Sequence, residues 1–355
     1  MIKIAHLAEN VGKTLKMHLL IYRVWIMQMK KLYIEATSRC NLNCKMCFRN
    51  SWVDETQADM NNETFDKIIE SINKLADLHT VMFAGMGEPL VHKNIGNMIL
   101  QTKKTGKYVS VLTNAFLLDK RMSDALVDVG LDELWISIDG FDRTSYEKIQ
   151  RGAMFDRLCE NILYYSKIRR TCKLGFTFVM MEENIAEVKK LNDFADRFSA
   201  DEINLSYCIP SYPVERDHSA YDFNYPVGKM HRLHAKAKKI HNFCPFIEEN
   251  GCFVKWNGDV CPCMQLLHSG NTYFFEEKRK VLCHSFGNVS KTNLNEIWNS
   301  ESYINFRNKV HNFEFPDCTL CDGCDDRLGN EKDCMFNEKP TCGACLWAQG
   351  IARCP

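Results

Sequence analysis

Three cysteines, Cys40, Cys44 and Cys47, lie close together in the stretch SRCNLNCKMCFRN at residues 38–50. A closed structural zinc site uses four protein ligands, and a [4Fe–4S] cluster has four iron atoms to be held. Three thiolates therefore leave one metal position open for a ligand from outside this stretch. The alternatives are a zinc site completed elsewhere in the chain and cysteines that are simply buried thiols.

Most of the other cysteines lie in the last third of the chain. Of the 18 cysteines, five fall in residues 1–200 and thirteen in residues 201–355, twelve of them from Cys244 onward. A chain of 355 residues can bury a large core without disulfides, and its cysteines are too dilute for a small secreted disulfide scaffold. We therefore expect a cytoplasmic protein with reduced thiols, whose clustered cysteines bind metal.

The composition argues against two classes of partner. The formal net charge is zero, the isoelectric point is about 7.1 and no basic run occurs, so binding to nucleic acid is not expected. An apolar run over residues 17–29 is interrupted by Arg23 and is too short to cross a bilayer, so no membrane association is expected. We expect residues 1–31 to form a helical extension that covers one end of the main domain.

Short β-like runs alternate with amphipathic segments between residues 32 and 210, and two of the helical segments cover 62–78 and 184–198. Six successive βα units predict a parallel sheet with right-handed crossovers, either an open doubly wound sheet or a barrel. The strand candidates are LYIEAT at 32–37, TVMFAG at 80–85, YVSVLT at 108–113, ELWISID at 133–139, LGFTFVM at 174–180 and EINLSYC at 202–208.

Polar or glycine-containing stretches follow the first four of these strands. They are the cysteine stretch at 40–47, GMGEP at 85–89, TNA at 113–115 and SIDG at 137–140. Because ligands bind at the carboxyl ends of the strands in parallel α/β folds, we expect these stretches to converge on one site. The turn-rich stretch SYPVERDHSAYDFNYP at 211–226 then marks a domain boundary near 215–243.

These motifs together resemble the radical S-adenosylmethionine (SAM) superfamily. The resemblance is carried by CxxxCxxC, by the aromatic Phe48 that follows it, and by GxGEP after the second strand. It implies an α/β fold with a partial (β/α)6, TIM-like barrel. It also implies a [4Fe–4S] cluster on Cys40, Cys44 and Cys47, with SAM chelating the fourth iron through its amino and carboxylate groups. Reduction of that cluster would cleave SAM to a 5′-deoxyadenosyl radical, and no side chain is expected to act as a nucleophile.

The same resemblance implies that the second strand end contacts SAM. Gly85 and Gly87 are expected to let the backbone approach the methionine moiety, and Glu88 and Pro89 are expected to fix that loop. An ordinary βα turn is the alternative. Asn114, at the third strand end, lies in TNA where the family usually has TNG.

Three further SAM contacts are implied beyond the third strand. Ser137 and Asp139 resemble the residues that contact the ribose at the fourth strand, although a helix cap would also explain them. Arg151, in QRGAMFD, is either a partner of the SAM carboxylate or a solvated arginine.

The segment from residue 244 resembles the SPASM extension of radical SAM enzymes, which holds one or two auxiliary [4Fe–4S] clusters. Cys244-x13-Gly258-x4-Cys263, an FGN…EIW segment and further CxxC units carry this resemblance. The usual CX2CX5CX3C block is replaced by CX2CX2CX9C over residues 318–334, and zinc in one CxxC pair is the alternative. Cys261 and Cys283 are expected to be spare. The expected ligand pool is Cys244, Cys252, Cys263, Cys318, Cys321, Cys324, Cys334, Cys342, Cys345 and Cys354.

The expected organisation is an N-terminal extension over 1–31, a radical SAM partial barrel over 32–215, a linker or helix over 216–243 and a SPASM-like domain over 244–355. Cys354 is expected to complete a ligand set begun by Cys342 and Cys345. Over about residues 30–355, stretches such as SYCIPSY, CMQLLHSGNTYF and the CLWAQGIARCP ending resemble the maturases of tungsten-containing aldehyde oxidoreductases. That branch implies a tungsten oxidoreductase or its pterin cofactor as substrate, and a donor such as ferredoxin or flavodoxin.

Two other functions are compatible with parts of this pattern. Radical modification of a ribosomally made peptide usually involves a peptide-binding domain before the cluster motif, but only 39 residues precede Cys40, too few for a compact domain. A non-catalytic iron–sulfur electron-transfer protein would explain the cysteines, but it leaves GMGEP and SIDG without a role.

Overall fold

The computed structural model describes residues 28–53, 56–213, 228–230, 242–274, 277–321 and 323–350, with no description of side chains at 228–230. The predicted extension over 1–31 and the predicted linker over 216–243 fall largely outside these residues, and Cys354 falls wholly outside them.

A single sheet of nine strands, in the order β7-β6-β5-β4-β3-β2-β1-β8-β9, organises the described chain. Neighbouring strands from β6 to β8 run parallel, and the outer pairs β6–β7 and β8–β9 are antiparallel. The strands are β1 Lys31–Ile34, β2 Thr80–Phe83, β3 Tyr108–Thr113, β4 Glu133–Ser137, β5 Lys173–Met180, β6 Glu202–Tyr207, β7 Gly228–Met230, β8 Gly251–Val254 and β9 Val260–Cys261.

Helices connect the parallel strands and continue into the C-terminal segment. They are α1 Asn62–Lys74, α2 Ile95–Lys104, α3 Lys120–Asp128, α4 Arg143–Ile149, α5 Phe155–Ile168, α6 Leu191–Arg197, α7 Pro245–Glu248, α8 Leu294–Trp298 and α9 Glu301–His311. A separate antiparallel hairpin pairs β10 Gly270–Phe274 with β11 Glu277–Val281. Short 3-10 helices cover Phe48–Ser51, Pro89–Val91, Ile185–Lys190, Met264–Leu266, Cys318–Leu320 and Asp325–Leu328.

The two faces of the parallel strands have different surroundings, because successive side chains of a strand point to opposite sides. One set is fully buried in the hydrophobic core that the helices share, and it includes Ile34, Val81, Val111, Ile136 and Phe176. The alternate set lines a cavity of about 630 Å³ on the concave side of the sheet, and it includes Tyr33, Met82, Ser110, Trp135 and Thr177. The sheet therefore curves around an internal space, as a partial barrel does.

Two local predictions differ from the structure. The first strand was expected over 32–37, but β1 ends at Ile34. The chain after Ile34 bonds to residues 58–60 instead, and Met60 N donates to Ala36 O at 2.8 Å. The helix expected over 184–198 is a 3-10 turn followed by α6. None of the helices in the described part of the chain combines the length and apolar character that crossing a bilayer requires.

Candidate functional site

The first cysteine set lies in the loop after β1. Burial raises the pKa of the Cys40, Cys44 and Cys47 thiols, and for Cys40 and Cys44 the nearby Cys47 thiol raises it further. The amide of Leu42 donates to Cys40 Sγ at 3.4 Å. These thiols therefore lie close together, and their burial favours the protonated form. Bound iron, as a local positive charge, would be needed to keep them deprotonated.

Backbone and side-chain hydrogen bonds hold this loop in place. Cys47 N and Asn50 Nδ2 both donate to Cys44 O, at 3.1 and 2.9 Å. Lys45 N donates to Ile149 O at 2.8 Å, and Asn43 N donates to Arg151 O at 3.0 Å. Arg151 thus contributes its carbonyl to the loop, while its side chain is exposed.

Glu88 joins the GMGEP loop to the end of β3. Its Oε1 accepts from Leu90 N (3.0 Å) and Thr113 Oγ1 (2.7 Å), and its Oε2 accepts from Asn114 N (2.7 Å). Burial raises the pKa of this carboxyl to about 6. Pro89 begins the 3-10 turn that Glu88 caps, so both residues hold the conformation of this loop.

The two glycines of this loop are required by protein contacts. A Cβ at Gly87 would lie 2.1 Å from Thr37 O and 2.7 Å from Arg39 O, and one at Gly85 would lie 2.6 Å from Glu35 Cγ. Neither glycine has a positive φ. The absence of a side chain therefore allows the loop to pack on the segment that leads into the first cysteine set, a reason other than the expected approach to a methionine moiety.

Asn114 is the residue of the third strand end that reaches the cysteines. Its Nδ2 donates to Asn41 Oδ1 at 3.0 Å and lies 3.7 Å from Cys40 Sγ, while its Oδ1 accepts from Phe116 N. The alanine that replaces the usual glycine, Ala115, adopts φ +56°, a conformation that glycine would adopt with less strain.

Asp139, at the fourth strand end, is fully buried and engaged by protein groups. Its Oδ1 accepts from Val179 N (2.9 Å) and its Oδ2 accepts from Gln150 Nε2 (2.8 Å), and burial raises its pKa to about 6. The cap of α4 is Asp142, so the helix-capping alternative does not apply to Asp139. Ser137 ends β4, half-buried, and its carbonyl also accepts from Gln150 Nε2.

A second cysteine set comprises Cys244, Cys263, Cys342 and Cys345. Burial, followed by the thiols of Cys244 and Cys345, raises the pKa of Cys263. Burial and the other three thiols likewise raise the pKa of Cys342. Four thiols from three distant segments therefore lie together, which is the number that a cubane cluster held only by protein needs.

A third set lies in the loop after α9. Burial raises the pKa of the Cys318 thiol to about 11, and the neighbouring Cys321 and Cys334 thiols also raise it. Cys324 follows three residues after Cys321 and directly precedes a 3-10 turn. Cys321 and Cys334 are exposed, so this set reaches the protein surface.

Three other cysteines lie in the described C-terminal segment: Cys252, Cys261 and Cys283. Burial raises the pKa of the Cys261 thiol, and Asp259 and Cys263 raise it further, so Cys261 lies near the second set. Cys252, in the expected ligand pool, is fully buried in β8 with its Sγ 3.8 Å from Met29 Sδ. Cys261 is buried in β9, and its Sγ lies 4.0 Å from Asp259 O. Cys283 is half-buried and donates its amide to Ser269 Oγ at 3.0 Å.

Two arginines accompany these sets in a way that fits bound anionic clusters. Burial raises the pKa of all three thiols of the first set, and Arg49 offsets part of that rise. The buried Nε of Arg49 has no hydrogen-bond partner among the described residues. Arg279 is 5% exposed, and the thiols of Cys345 and Cys318 offset the lowering of its pKa by burial. A buried guanidinium needs a negative partner, and clusters with thiolate ligands supply one.

Within the described ranges, no group of three or more Cys, His, Asp or Glu side chains converges as a single metal ion would require. In a cubane cluster each thiolate binds its own iron atom, so its ligands need not meet at one point. The spread of each cysteine set is therefore compatible with cluster ligation.

Aromatic contacts join the first site to the C-terminal segment. Phe48 meets Trp347 edge to face, with ring centroids 6.2 Å apart. Trp52 stacks on His268 at 4.2 Å, and His268 Nε2 lies 2.9 Å from both carboxylate oxygens of Glu35. The two parts of the chain therefore pack closely beside the first cysteine set.

The sequence analysis missed several residues of this site. Arg49 lies two residues after Cys47, and that proximity was the one signal available. Glu35 lies in the strand candidate LYIEAT and His268 in the stretch CMQLLHSGNTYF, but neither residue was given a role. Arg279 stood in no motif. Each of the three acts through partners distant in sequence.

Comparisons with known proteins agree with this arrangement. A family model described as the radical SAM superfamily matches residues 34–195. A second model, SPASM, described as an iron-sulfur cluster-binding domain, matches residues 244–325. The two matches fall on the parallel strands with the first cysteine set and on the cysteine-rich C-terminal segment.

Two curated proteins are similar in sequence. The chain is 32% identical over 348 residues to the tungsten-containing aldehyde ferredoxin oxidoreductase cofactor-modifying protein of Pyrococcus furiosus, covering 92% of this chain and 97% of that protein. It is 30% identical over 201 residues to the probable GTP 3′,8-cyclase of Pyrococcus abyssi, covering 56% of this chain and 63% of that protein.

Two solved structures share the fold. Native anSMEcpe with bound AdoMet gives a TM-score of 0.58 at 17% identity, covering 82% of this chain and 86% of that one. Streptococcus suis SuiB bound to S-adenosylmethionine gives 0.57 at 16% identity, covering 87% and 75%. With the strand order above, these matches confirm the predicted α/β class of parallel strands with a cysteine-rich C-terminal domain.

Proposed function

The chain belongs to the radical SAM superfamily and carries its SPASM iron–sulfur domain, and on that premise we propose that it is a maturase for a tungsten-containing oxidoreductase. It is an enzyme that uses SAM together with [4Fe–4S] clusters. The observation that carries the maturase proposal is the similarity to the Pyrococcus furiosus cofactor-modifying protein, which extends over nearly the whole of both chains.

Cys40, Cys44 and Cys47 are proposed to hold the cluster that SAM binds. Bound there, this cluster supplies the electron that cleaves SAM to methionine and a 5′-deoxyadenosyl radical. Asn114, beside Cys40 Sγ, would orient that thiolate, and the Arg49 guanidinium would offset the negative charge of the set.

The strand-end residues are proposed to shape the SAM cradle mainly through the backbone. Gly85, Gly87, Glu88 and Pro89 hold the second strand end against the cysteine loop. Asp139 has both carboxylate oxygens occupied by protein donors, so its role is to fix the fourth strand end. Contacts of Phe48, Ser137 and Arg151 with SAM remain part of the proposal.

The other two cysteine sets are proposed to hold one auxiliary cluster each. The gathering of Cys244, Cys263, Cys342 and Cys345 supports the inner cluster. Cys318, Cys321, Cys324 and Cys334 are proposed for the outer one. Four thiols already form the inner set, so Cys354 is proposed as an additional donor to it. The proposed domain bounds are 32–215 for the radical SAM part and 244–355 for the SPASM part.

The proposed substrate is a small molecule such as the pterin cofactor, and the sheet encloses a cavity of that size. Its volume of about 630 Å³ lies within the range of small-molecule sites, and aromatic rings including Tyr33, Trp135 and Phe253 line it. Its lining includes the first residue of each strand from β1 to β6, so the space extends toward the amino ends of the strands: Lys31, Thr80, Tyr108, Glu133, Lys173 and Glu202. Ala84 and Leu112 line it nearer the carboxyl ends, where the SAM site is proposed.

An external reductant is part of this proposal, since the cluster must be reduced before each cleavage of SAM. A ferredoxin or a flavodoxin is the proposed donor, and the cytoplasm, where thiols stay reduced, is the proposed location.

The test combines the reduced protein, SAM and a tungsten oxidoreductase prepared with its pterin cofactor. We expect 5′-deoxyadenosine and a mass change in the extracted cofactor, with neither formed by the Cys44→Ala variant. Formation of 5′-deoxyadenosine with no change in cofactor or oxidoreductase would refute the maturase assignment and leave SAM cleavage standing. Absence of 5′-deoxyadenosine from a fully reconstituted protein would refute the assignment of the first site.

A further inference from the structure

A buried histidine from the C-terminal domain pairs with a buried glutamate beside the SAM site. The side chains of His268 and Glu35 are both 0% exposed, and His268 Nε2 lies 2.9 Å from each of the two Glu35 carboxylate oxygens. Glu35 directly follows β1, whereas His268 lies 233 positions later in sequence. A carboxylate so deeply buried is stable only when donors satisfy its oxygens.

A second donor to Glu35 belongs to the GMGEP loop. Met86 N donates to Glu35 Oε1 at 3.0 Å. The same loop leaves no room beside this carboxylate, because a Cβ at Gly85 would lie 2.6 to 2.9 Å from three Glu35 side-chain atoms. The position of the loop is therefore set by where the Glu35 side chain is held.

His268 also contacts the other loop of the first site. Its ring stacks on Trp52 with an interplanar angle of 20°. Trp52 follows the 3-10 turn that Phe48 begins directly after Cys47, and it forms an isolated β-bridge with Gly270. The His268 ring thus contacts both Glu35, whose side chain holds the GMGEP loop, and Trp52, which lies at the end of the cysteine loop.

We propose that His268 is a positioning residue for SAM binding. By donating to Glu35 and stacking on Trp52, it fixes the GMGEP loop and the cysteine loop relative to each other. The inference goes beyond the maturase proposal, because it concerns SAM affinity and is independent of the substrate. Without His268, the buried Glu35 carboxylate loses a donor and must rearrange, which frees the Met86 amide and the loop that carries it.

The test measures SAM affinity of reconstituted protein by equilibrium dialysis, together with iron content and the electron paramagnetic resonance spectrum of the reduced first cluster with and without SAM. We expect His268→Ala to keep its iron but to bind SAM at least tenfold more weakly. The spectral change on addition of SAM should shift to correspondingly higher SAM concentrations.

Two further variants separate the proposed contact of His268 with Glu35 from a general loss of stability. His268→Gln retains an N–H that can reach Glu35 and should recover part of the lost affinity. His284→Ala serves as the matched control, since His284 lies in the same domain and its ring packs on Phe286, while its backbone bond from His284 N to Leu266 O is kept by alanine. Wild-type SAM affinity in iron-replete His268→Ala, or equal weakening in His284→Ala, would overturn the proposal. If His268→Ala fails to fold, iron-replete His268→Gln decides: near wild-type affinity supports the proposal, and a complete loss of SAM binding overturns it.

Discussion

Replacing Gly87 by alanine tests the close packing of the GMGEP loop on the segment before Cys40. The added Cβ would lie 2.1 Å from Thr37 O, whereas such contacts essentially never fall below 3.0 Å, so loop and segment must separate by roughly 1 Å. The obstacle is backbone, which cannot rotate away as a flexible side chain can. Forcing extra atoms into a packed site costs about 1–3 kcal/mol.

We expect this cost to appear at the SAM site, because the displaced segment leads directly into the first cysteine set. The Glu88 N to Arg39 O hydrogen bond, 2.8 Å in length, ties the two segments together, so a shift of one moves the other. If the whole cost falls on SAM binding, affinity decreases by about 5- to 150-fold. Equilibrium dialysis with SAM on iron-replete protein measures this directly.

Gly96→Ala is the matched control for this experiment. A Cβ at Gly96 meets nothing within 4 Å, and the residue lies in α2, where alanine stabilises a helix by up to about 1 kcal/mol over glycine. This variant should bind SAM like the parent and unfold at the same or a higher temperature. If Gly87→Ala matched the control in both SAM affinity and thermal unfolding, the packing argument would be wrong.

The remaining predictions concern the cysteine sets and the buried charges. Cys345→Ser should lose up to one [4Fe–4S] equivalent of iron and sulfide, whereas Cys252→Ser should keep the parental content. Equal losses in the two variants would contradict the assignment of Cys345, and not Cys252, to the inner set. Arg279→Gln should lower the midpoint potentials of the auxiliary clusters in an electrochemical titration, because a nearby positive charge that favours the reduced state is removed, whereas Arg279→Lys should lower them less. Burial raises the pKa of Asp139 to about 6, so this carboxyl alone should add roughly 1 kcal/mol of unfolding free energy between pH 8 and pH 5, and Glu88, whose pKa is also raised to about 6, should add a similar amount. Asp139→Asn should lack the Asp139 share of this gain in urea titrations and keep the Glu88 share, and a parallel pH dependence of both proteins would contradict the raised pKa of Asp139.

The sequence was sufficient for the features that depend on local spacing. Cys40, Cys44 and Cys47 lie within one loop, and strand ends of a parallel sheet must meet, so their convergence with GMGEP and TNA followed from the pattern alone. The role of Gly87 was harder to see, since a glycine in a strand-end loop suits a ligand or a neighbouring backbone equally well. The position of Thr37 O decides between them.

Pairings across long stretches of chain could not be read from spacing. Cys244 and Cys345 belong to one set although about a hundred residues separate them, while Cys252, nearer to Cys244 in sequence, points into the core. The pairing of His268 with Glu35 depends in the same way on how the C-terminal segment packs against β1. Such contacts follow from tertiary packing, for which a single sequence carries no local signal.

The parallel pairing of β1 with β8 has a consequence for how the protein is made. Lys31 pairs with Gly251, so 220 residues must be synthesised after Lys31 before the second neighbour of β1 begins. At a translation rate of about 5–20 residues per second, that interval is roughly 10–45 s. During it the nascent β1 is an open edge to which other chains can pair. The loop with Cys40, Cys44 and Cys47 follows this strand directly, so we expect iron delivery to the first site to follow release from the ribosome. Pulse-chase labelling with radioactive iron would reveal that order.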